Sequence, residues 1–382
     1  MDTSQPLSLL GGLSPDQFMK RHWHKKPLLI RQAIPDFQPL LSRAELMELA
    51  AQEEVESRLV VRKSQGWTLK QGPFAKKALP PFKQAGWTVL VQGVDLHDES
   101  VHQLAQQFRF VPDARMDDLM ISYATDGGGV GPHFDSYDVF LLQAQGQRRW
   151  RIGRQKDLTL EDGVPLKILA HFEPEQEFIL NPGDMLYLPP LYAHDGDAIG
   201  ECMTYSMGFR APRAGELARE LLAGLAEEAV DAVGDQVYRD PRQPAVTQAG
   251  AVPAALQAFA SSAVQKALQD PQLLDCLLGE YLTEPKPQVW FDAQTERALN
   301  WPQAVVLDRR TRMMHDAQHI FINGESFKAG GRDAQLLRRL SNDRRLDALA
   351  VARLTPEALE LLSAWCDDGW MHPEETVQCA NG

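Results

Sequence analysis

Two histidines and one aspartate have the side-chain types and the spacing of a metal site. His133 and Asp135 lie two residues apart at the predicted start of a strand, and His194 follows 61 positions later, before another β-segment. Because residues i and i+2 of a strand share a face, the imidazole and the carboxylate are predicted to face one cavity. Two histidines and one carboxylate form the facial triad of non-haem iron(II) oxygenases, which leaves coordination positions open for substrate and oxygen.

Other assignments of these residues remain open at this point. The first two could form a surface pair in a turn. Asp195 and Asp197 lie close enough to His194 in the sequence to compete as ligands, and His171 is another candidate for the third ligand. His171 ranks lower, because it lies in a long connection with no strand after it.

Arg148 is predicted to point into the same cavity. It lies in the segment QRRWRI, on the strand face that carries the apolar Trp150 and Ile152, whereas Arg149 and Arg151 lie on the opposite face. An unpaired buried charge is strongly unfavourable, so an inward arginine needs an anion. A dicarboxylate cosubstrate would supply one, because a guanidinium binds carboxylates through paired hydrogen bonds. A structural pair between the arginine and an aspartate is the alternative.

Short strands are the elements that must position these residues. From about 117 to 210 the pattern is almost purely β, with segments spaced by roughly ten residues and separated by NPGD-type and Gly-rich turns. One such turn is predicted at Gly146, between DVFLLQAQ and QRRWRI. The spacing predicts an antiparallel double sheet or barrel. Before it, helices are predicted over 14–24, 43–53 and 98–107.

The chain after residue 212 is predicted to be mainly helical. Amphipathic patterns cover 214–233 and about 254–283, and Leu and Ala at helical spacing mark a core or an oligomer face, so we expect a homodimer. From about 295, helices and a hairpin turn at Asn323-Gly324 are typical of a winged helix. The predicted domains are 1–212 (catalytic), 213–288 (helical, dimerising) and 289–382 (winged-helix-like).

Composition and charge exclude several classes of protein. The chain has 382 residues, 44% of them hydrophobic, and no apolar run near the ~20 residues that a membrane span needs. Cys202, Cys276, Cys366 and Cys379 are scattered without a CxxC pair, which fits a reducing compartment and predicts a cytoplasmic protein.

The net charge of -13 argues against a general nucleic-acid binder and suits a basic partner. Residues 301–382 hold 10 Lys and Arg against 12 Asp and Glu, so we expect no direct DNA binding.

Several stretches of the sequence resemble a known family. The stretches GPHFDSYDVFLLQAQGQRRWRIG, NPGDMLYLPPLYAHDG and YSMGFR are similar to the JmjC-type 2-oxoglutarate oxygenases, and FMKRHWHKKPLLIR is similar to the entry segment of their ribosomal-oxygenase branch. The resemblance covers nearly the whole chain. It implies an α+β fold class with a double-stranded β-helix (jelly-roll, cupin) as the JmjC catalytic domain. A helical dimerisation domain and a C-terminal winged-helix-like domain would follow.

The resemblance also implies roles for individual residues. His133, Asp135 and His194 would bind Fe(II). Arg148 would bind the distal carboxylate of 2-oxoglutarate, and O2 would be the second cosubstrate. The family pattern has a hydroxyl residue near position 124 to assist this arginine, whereas the present chain has Ala124. The residues expected to replace that hydroxyl are Ser122, Tyr123, Thr204 and Ser206.

The implied substrate is an arginine side chain of a basic ribosomal protein of the large (50S) subunit, protein sixteen. Tyr137 follows Asp135 by two residues and is predicted to face the same cavity. Asp118, or Asp117 beside it, could accept the guanidinium.

Other functions stay open from the sequence. One is a different cupin-type metalloenzyme, which would leave Arg148 without a reason to face inward, and another is a JmjC hydroxylase acting on a different basic protein. A lysine demethylase is disfavoured by the lack of a zinc cluster, and a DNA-binding regulator by the charge of the winged-helix-like segment.

Overall fold

Nine antiparallel strands form the sheet that carries the predicted site residues. The computed structural model describes residues 2–63, 66–293 and 301–374. It divides into two compact units, 1–211 and 212–382, and the nine strands belong to the first. The elements of the first unit are α1 (Pro15–Arg21), β1 (Leu28–Ile30), α2 (Arg43–Leu49), β2 (Ser57–Lys63), β3 (Gly66–Gln71), β4 (Trp87–Val91), α3 (Glu99–Gln106), β5 (Met116–Ala124), β6 (Asp138–Arg154), β7 (Gln176–Leu180), β8 (Met185–Leu188) and β9 (Tyr192–Phe209). The strand order in the sheet is β1-β8-β6-β9-β5-β4-β2-β3, with β7 paired to β6.

The central strands are buried on both faces, so their sequences do not alternate simply between apolar and polar residues. On β6, Phe140 and Leu142 belong to the core that includes Phe18 of α1, whereas Val139 and Leu141 belong to a second core inside the sheet. The inward faces of β5 and β9 carry polar or small residues as well, namely Asp118, Ser122, Ser206 and Gly208. This arrangement confirms the predicted double-stranded β-helix and leaves a cavity inside it.

β6 runs without interruption through Gly146, so the prediction of a turn there is wrong. Its register against β9 shifts between Gln143 and Gln147, which marks a bulge, and Gly146 has a φ of 62°. A Cβ atom at this glycine would lie 2.1 Å from the carbonyl oxygen of Glu201 on β9. β6 pairs with β8 before the bulge and with β7 after it. The bulge therefore bends the strand without ending it.

The second unit consists of helices and two small sheets of three strands each. Its elements are α4 (Ala214–Glu227), α5 (Ala229–Val233), α6 (Ala254–Ala267), α7 (Pro271–Thr283), β10 (Val305–Leu307), β11 (Met313–His315), β12 (His319–Ile322), β13 (Glu325–Lys328), α8 (Gly331–Asp343), β14 (Arg345–Leu346), α9 (Ala348–Val351), α10 (Pro356–Asp367) and β15 (Met371–Pro373). The strand orders of the two sheets are β14-β10-β15 and β11-β12-β13. Asn323 and Gly324 have φ values of 48° and 91° and form the predicted hairpin turn between β12 and β13.

Two features of the second unit differ in detail from the sequence prediction. The single helix predicted over 214–233 is two helices, because Glu228 between them has a ψ of 0°. The helices α4 to α7 and the winged-helix-like elements fall into one compact unit. The division into separate domains over 213–288 and 289–382 stays a prediction.

Within the described ranges, no helix has both the length and the hydropathy needed to cross a bilayer. Cys202 and Cys276 are free thiols, and Cys366 is buried. Cys379 lies outside the described residues.

Gly146→Ala should strongly destabilise the first unit. The added Cβ would meet backbone at 2.1 Å and force alanine into the left-handed region, and these two effects together cost about 2–5 kcal/mol. Gly200→Ala is the matched control: its φ is 70°, but a Cβ there meets nothing within 4 Å. Thermal unfolding should show a much larger fall in midpoint for Gly146→Ala. Equal falls would contradict the close approach of β6 to β9.

Candidate active site

The cavity inside the sheet encloses about 430 Å³ and contains the predicted metal ligands. Ligand atoms of His133, Asp135 and His194 all lie within 4.8 Å of one another, and among the described residues this is the group of His, Cys, Asp and Glu that could hold a metal ion. Nε2 of His194 is 3.6 Å from Oδ2 of Asp135. The sequence-predicted triad is therefore assembled by the fold.

His133 and Asp135 do not lie in a strand, contrary to the sequence prediction, because a bend at Ser136 and Tyr137 precedes β6. The backbones of His133 and His194 pair instead, with N–H to O distances of 3.0 and 2.8 Å. The carbonyl oxygen of Asp135 accepts from the N–H of Leu191 at 2.7 Å. These contacts hold the segment against the start of β9, so an extended stretch of loop aligns the two ligands.

Both histidines have one ring nitrogen occupied by the backbone. Nδ1 of His133 is 2.9 Å from the carbonyl oxygen of Gly131, and Nδ1 of His194 is 3.0 Å from that of Tyr192. A carbonyl oxygen can only accept, so Nδ1 carries the proton in each ring and Nε2 offers its lone pair. This fixed tautomer is the one that a metal ligand requires.

His194 is held in its neutral form. Burial, together with the nearby His133, lowers the pKa of His194 to about 4. A neutral imidazole can donate its lone pair to a metal near neutral pH. Two imidazoles and a carboxylate therefore fit a divalent iron ion.

The competing ligands suggested by the sequence are engaged elsewhere or exposed. Asp195 and Asp197 accept hydrogen bonds from Arg151 at 2.5 and 2.7 Å, and they do not belong to the metal-ligand group. His171 is exposed and also lies outside that group. The site therefore has His194 as its third member.

Arg148 lies on the cavity wall and is only 5% exposed. Its Nη1 donates to Oγ of Ser122 at 3.2 Å, but its Nε and Nη2 are buried without a partner. No carboxylate among the described residues forms an ion pair with it, which argues against the structural pair considered from the sequence. An incoming carboxylate would satisfy these orphaned donors.

The hydroxyl residues expected around Arg148 separate into two groups. Ser122 and Ser206 line the cavity, and Ser122 contacts the arginine. Thr204 is not among the lining residues: it is fully buried, and its hydroxyl donates to Oε1 of Gln143 at 3.0 Å. We therefore correct the expectation that Thr204 contacts a cosubstrate, because a neighbouring strand already uses its hydroxyl.

A different part of the cavity wall from the one at Arg148 is acidic. Asp117 and Asp118 both line the cavity, although neighbours on a regular strand point to opposite faces. The register of β5 shifts between Met116 and Asp118, and this bulge explains the shared orientation. Tyr137 lines the same region, and burial, with the charges of Asp135 and Asp118, raises the pKa of its hydroxyl far above the usual range.

The local sequence does not predict some residues of the cavity wall. Trp150 packs on Gly196, where a Cβ would lie 2.7 Å from the indole ring, so this position behind His194 must be glycine. Arg58 on β2 and Gln92 after β4 line the acidic region. Neither belongs to a motif, and only the pairing of β2, β4 and β5 brings them to the cavity.

Two family models match the chain: the JmjC domain over residues 103–217 and the ROXA-like winged helix over 266–372. The second match confirms the winged helix predicted from the hairpin and helices. The chain is 33% identical to the ribosomal protein uL16 3-hydroxylase of Escherichia coli (strain K12), over 93% of this chain and 96% of that protein. It is 28% identical to ribosomal oxygenase 1 of Homo sapiens, over 50% of this chain and 31% of that protein.

Ribosomal oxygenases are also among the solved structures that this chain resembles. The X-ray structure of Escherichia coli YcfD aligns with a TM-score of 0.81 at 31% identity, covering 94% of this chain and 98% of that one. A structure of YcfD, a ribosomal oxygenase, with cobalt and 2-oxoglutarate aligns with a TM-score of 0.78 at 31% identity and the same coverage. Because the similarity spans both the cavity-bearing unit and the winged helix, this chain belongs to the ribosomal oxygenase family of JmjC-domain proteins.

Proposed function

We propose that this protein is an Fe(II)- and 2-oxoglutarate-dependent oxygenase that hydroxylates an arginine side chain of the large-subunit ribosomal protein uL16. The observation that carries the proposal is one cavity lined by a His-Asp-His group, by a buried arginine with two orphaned donors, and by a pair of aspartates. The similarity to a uL16 3-hydroxylase over 93% of the chain supports this choice of substrate.

In this proposal His133, Asp135 and His194 hold the iron. When bound, iron(II) lets 2-oxoglutarate and O2 insert one oxygen atom into a C–H bond, with succinate and carbon dioxide as the other products. The carbonyl oxygens of Gly131 and Tyr192 keep each Nδ1 protonated, so that both rings present Nε2. The buried wall around His194 limits access of bulk water.

Arg148 binds the distal carboxylate of 2-oxoglutarate in this scheme. Its unpartnered Nε and Nη2 match the two oxygens of a carboxylate, and Ser122 orients the guanidinium through Nη1. Ser206, also on the wall, is the second hydroxyl available to the cosubstrate. Position 124 lacks a hydroxyl, and Ser122 on the same strand takes over that contact.

Asp118 and Tyr137 recognise the substrate arginine in this scheme. Asp118 precedes Ser122 by four residues on β5, which is about 13 Å along a strand. The carboxylate therefore binds the guanidinium well away from the cosubstrate carboxylate, and the aliphatic carbons of the substrate extend from it into the cavity. The neutral Tyr137 hydroxyl can donate a hydrogen bond there.

The proposed function is tested by incubating the purified protein with a uL16 fragment, iron(II), 2-oxoglutarate and air. Mass spectrometry should find one added oxygen atom on an arginine, and no such product when 2-oxoglutarate is omitted. Succinate release with no modified arginine would restrict the proposal to the cosubstrate half of the reaction.

We also propose a cytoplasmic homodimer. A ribosomal substrate places the enzyme where ribosomes are made, and a basic protein suits its net charge of -13. The helices of 213–288 expose large apolar side chains that a second copy would cover, namely Leu222, Val230, Leu256, Val264 and Leu268.

His133→Ala and Asp135→Ala should each abolish succinate release, because two ligands cannot hold the iron in an open three-point site. Cobalt(II) titration followed by absorbance should show the same loss of metal binding. His171→Ala is the control, since this exposed histidine lies outside the ligand group. Thermal unfolding of the variants should stay close to that of the parent. Metal binding retained by either triad variant would contradict the ligand assignment.

Arg148→Ala should raise the apparent KM for 2-oxoglutarate by tens-fold to thousands-fold, the typical effect of losing a buried paired contact to a charge. Arg149→Ala is the matched control, because that neighbour is exposed on the opposite face of β6. The measurement is initial-rate kinetics of succinate release. An unchanged KM in Arg148→Ala would show that another cation binds the distal carboxylate.

Light scattering should report a mass of about twice 42.8 kDa at micromolar concentration. Val264→Glu, at a position 61% exposed, should shift the mass toward that of the monomer by placing a charge in the apolar surface. A monomeric parent protein would refute the dimer.

A further inference from the structure

Asp118 is held in place by two donors on the cavity wall. Its Oδ2 accepts from the backbone N–H of Gly93 at 3.1 Å and from Nε2 of Gln92 at 3.4 Å. The carboxylate is only 6% exposed. Both donors act on the same oxygen, so they set the rotation of the carboxylate about its side-chain bond.

Gln92 is itself oriented by Arg58. Nη2 of Arg58 donates to Oε1 of Gln92 at 2.6 Å. A guanidinium has donors and no acceptor, so the amide oxygen must face Arg58 and the amide nitrogen must face Asp118. The hydrogen bonds therefore run in one direction, from Arg58 to Gln92 and from Gln92 to Asp118. Because all three residues line the cavity, this hydrogen-bond series forms part of the wall.

The other oxygen of Asp118 borders the part of the cavity next to Tyr137. Oδ1 of Asp118 and Cε2 of Tyr137 lie 3.9 and 3.8 Å from the position that a Cβ of Gly208 would occupy. The absence of a side chain at Gly208 keeps the space between the carboxylate and the ring open. A planar cationic group entering there would meet a carboxylate whose plane is already set.

We infer that Gln92 is a positioning residue that orients Asp118 for a guanidinium and so favours arginine over lysine. The inference rests on the proposed function, because it concerns recognition of the substrate side chain. Because Oδ2 already accepts two donors, the guanidinium would bond to Oδ1, whose lone pairs lie in the carboxylate plane, and its rigid planar N–H donors depend on that plane. An ammonium is a compact point charge, so its binding depends far less on that plane. Fixing the carboxylate plane therefore benefits arginine selectively.

The test measures dissociation constants of two uL16 peptides that differ only in arginine or lysine at the modified position. Binding is followed by calorimetry with the iron-free protein and 2-oxoglutarate present. Gln92→Leu should weaken binding of the arginine peptide by about ten- to a hundred-fold, the usual effect of losing a hydrogen bond to a charged group. Binding of the lysine peptide should change by less than about threefold, since no directed pair is lost.

A double-mutant cycle distinguishes action through Asp118 from general damage to the wall. In an Asp118→Asn background, Gln92→Leu should change the arginine-peptide affinity by less than about twofold, because the group that it orients is gone. Additive losses would overturn the inference. Equal losses for the two peptides in the Gln92→Leu single variant would overturn it as well.

Two further variants test whether the lower affinity of Gln92→Leu comes from misfolding or from the lost hydrogen bond. Gln92→Glu keeps an acceptor for Arg58 and similar size but replaces the donor toward Asp118 by a carboxylate oxygen, so it should also lose arginine-peptide affinity. Gln71→Glu adds the same charge at an exposed position opposite Arg58 on β3 and should leave both affinities unchanged. If Gln92→Glu binds the arginine peptide like the parent, the inference fails. If the parent protein binds neither peptide, the proposed function is contradicted, independently of the role of Gln92.

Discussion

The backbone pairing of His133 with His194 is the interaction on which the site depends. Two N–H···O bonds join the loop before β6 to the start of β9 and bring together residues that are 61 positions apart. The same pairing leaves each imidazole with Nδ1 on a backbone carbonyl and Nε2 free for a metal. Ligand position and ligand tautomer thus come from one stretch of main-chain hydrogen bonding.

That pairing is possible because β6 and β9 are long strands covered on both sides. One face of each packs on the core beneath the N-terminal helices, and the other forms the cavity wall. Glycines mark the points where the wall has no room for a side chain: Gly146 lies against the backbone of β9, and Gly196 lies beneath the ring of Trp150. Tight packing therefore limits the side chains that can surround the metal ligands.

The cavity keeps its positive and negative groups apart. Arg148 and Asp118 both line the wall, and Ser122, which contacts Arg148, lies four positions after Asp118 on β5, about 13 Å along the strand. Arg148 has donors that the protein leaves unsatisfied, whereas Asp118 receives two donors from Gln92 and Gly93. In the proposed function, an anion completes the end at Arg148, and the carboxylate of Asp118 binds a cation at the other end.

The sequence by itself determined the residue types of the triad and the inward face of Arg148. It also determined the β-rich segment that bears the cavity and the hairpin at Asn323-Gly324. Each of these features depends on local periodicity or on turn chemistry. Only the tertiary structure decided that β6 continues through Gly146, that the first two ligands lie in a loop, and that Thr204 bonds to Gln143. It also decided that Gln92 reaches Asp118. These features depend on which strands become neighbours, and cross-strand contacts leave no periodic signal in the chain itself.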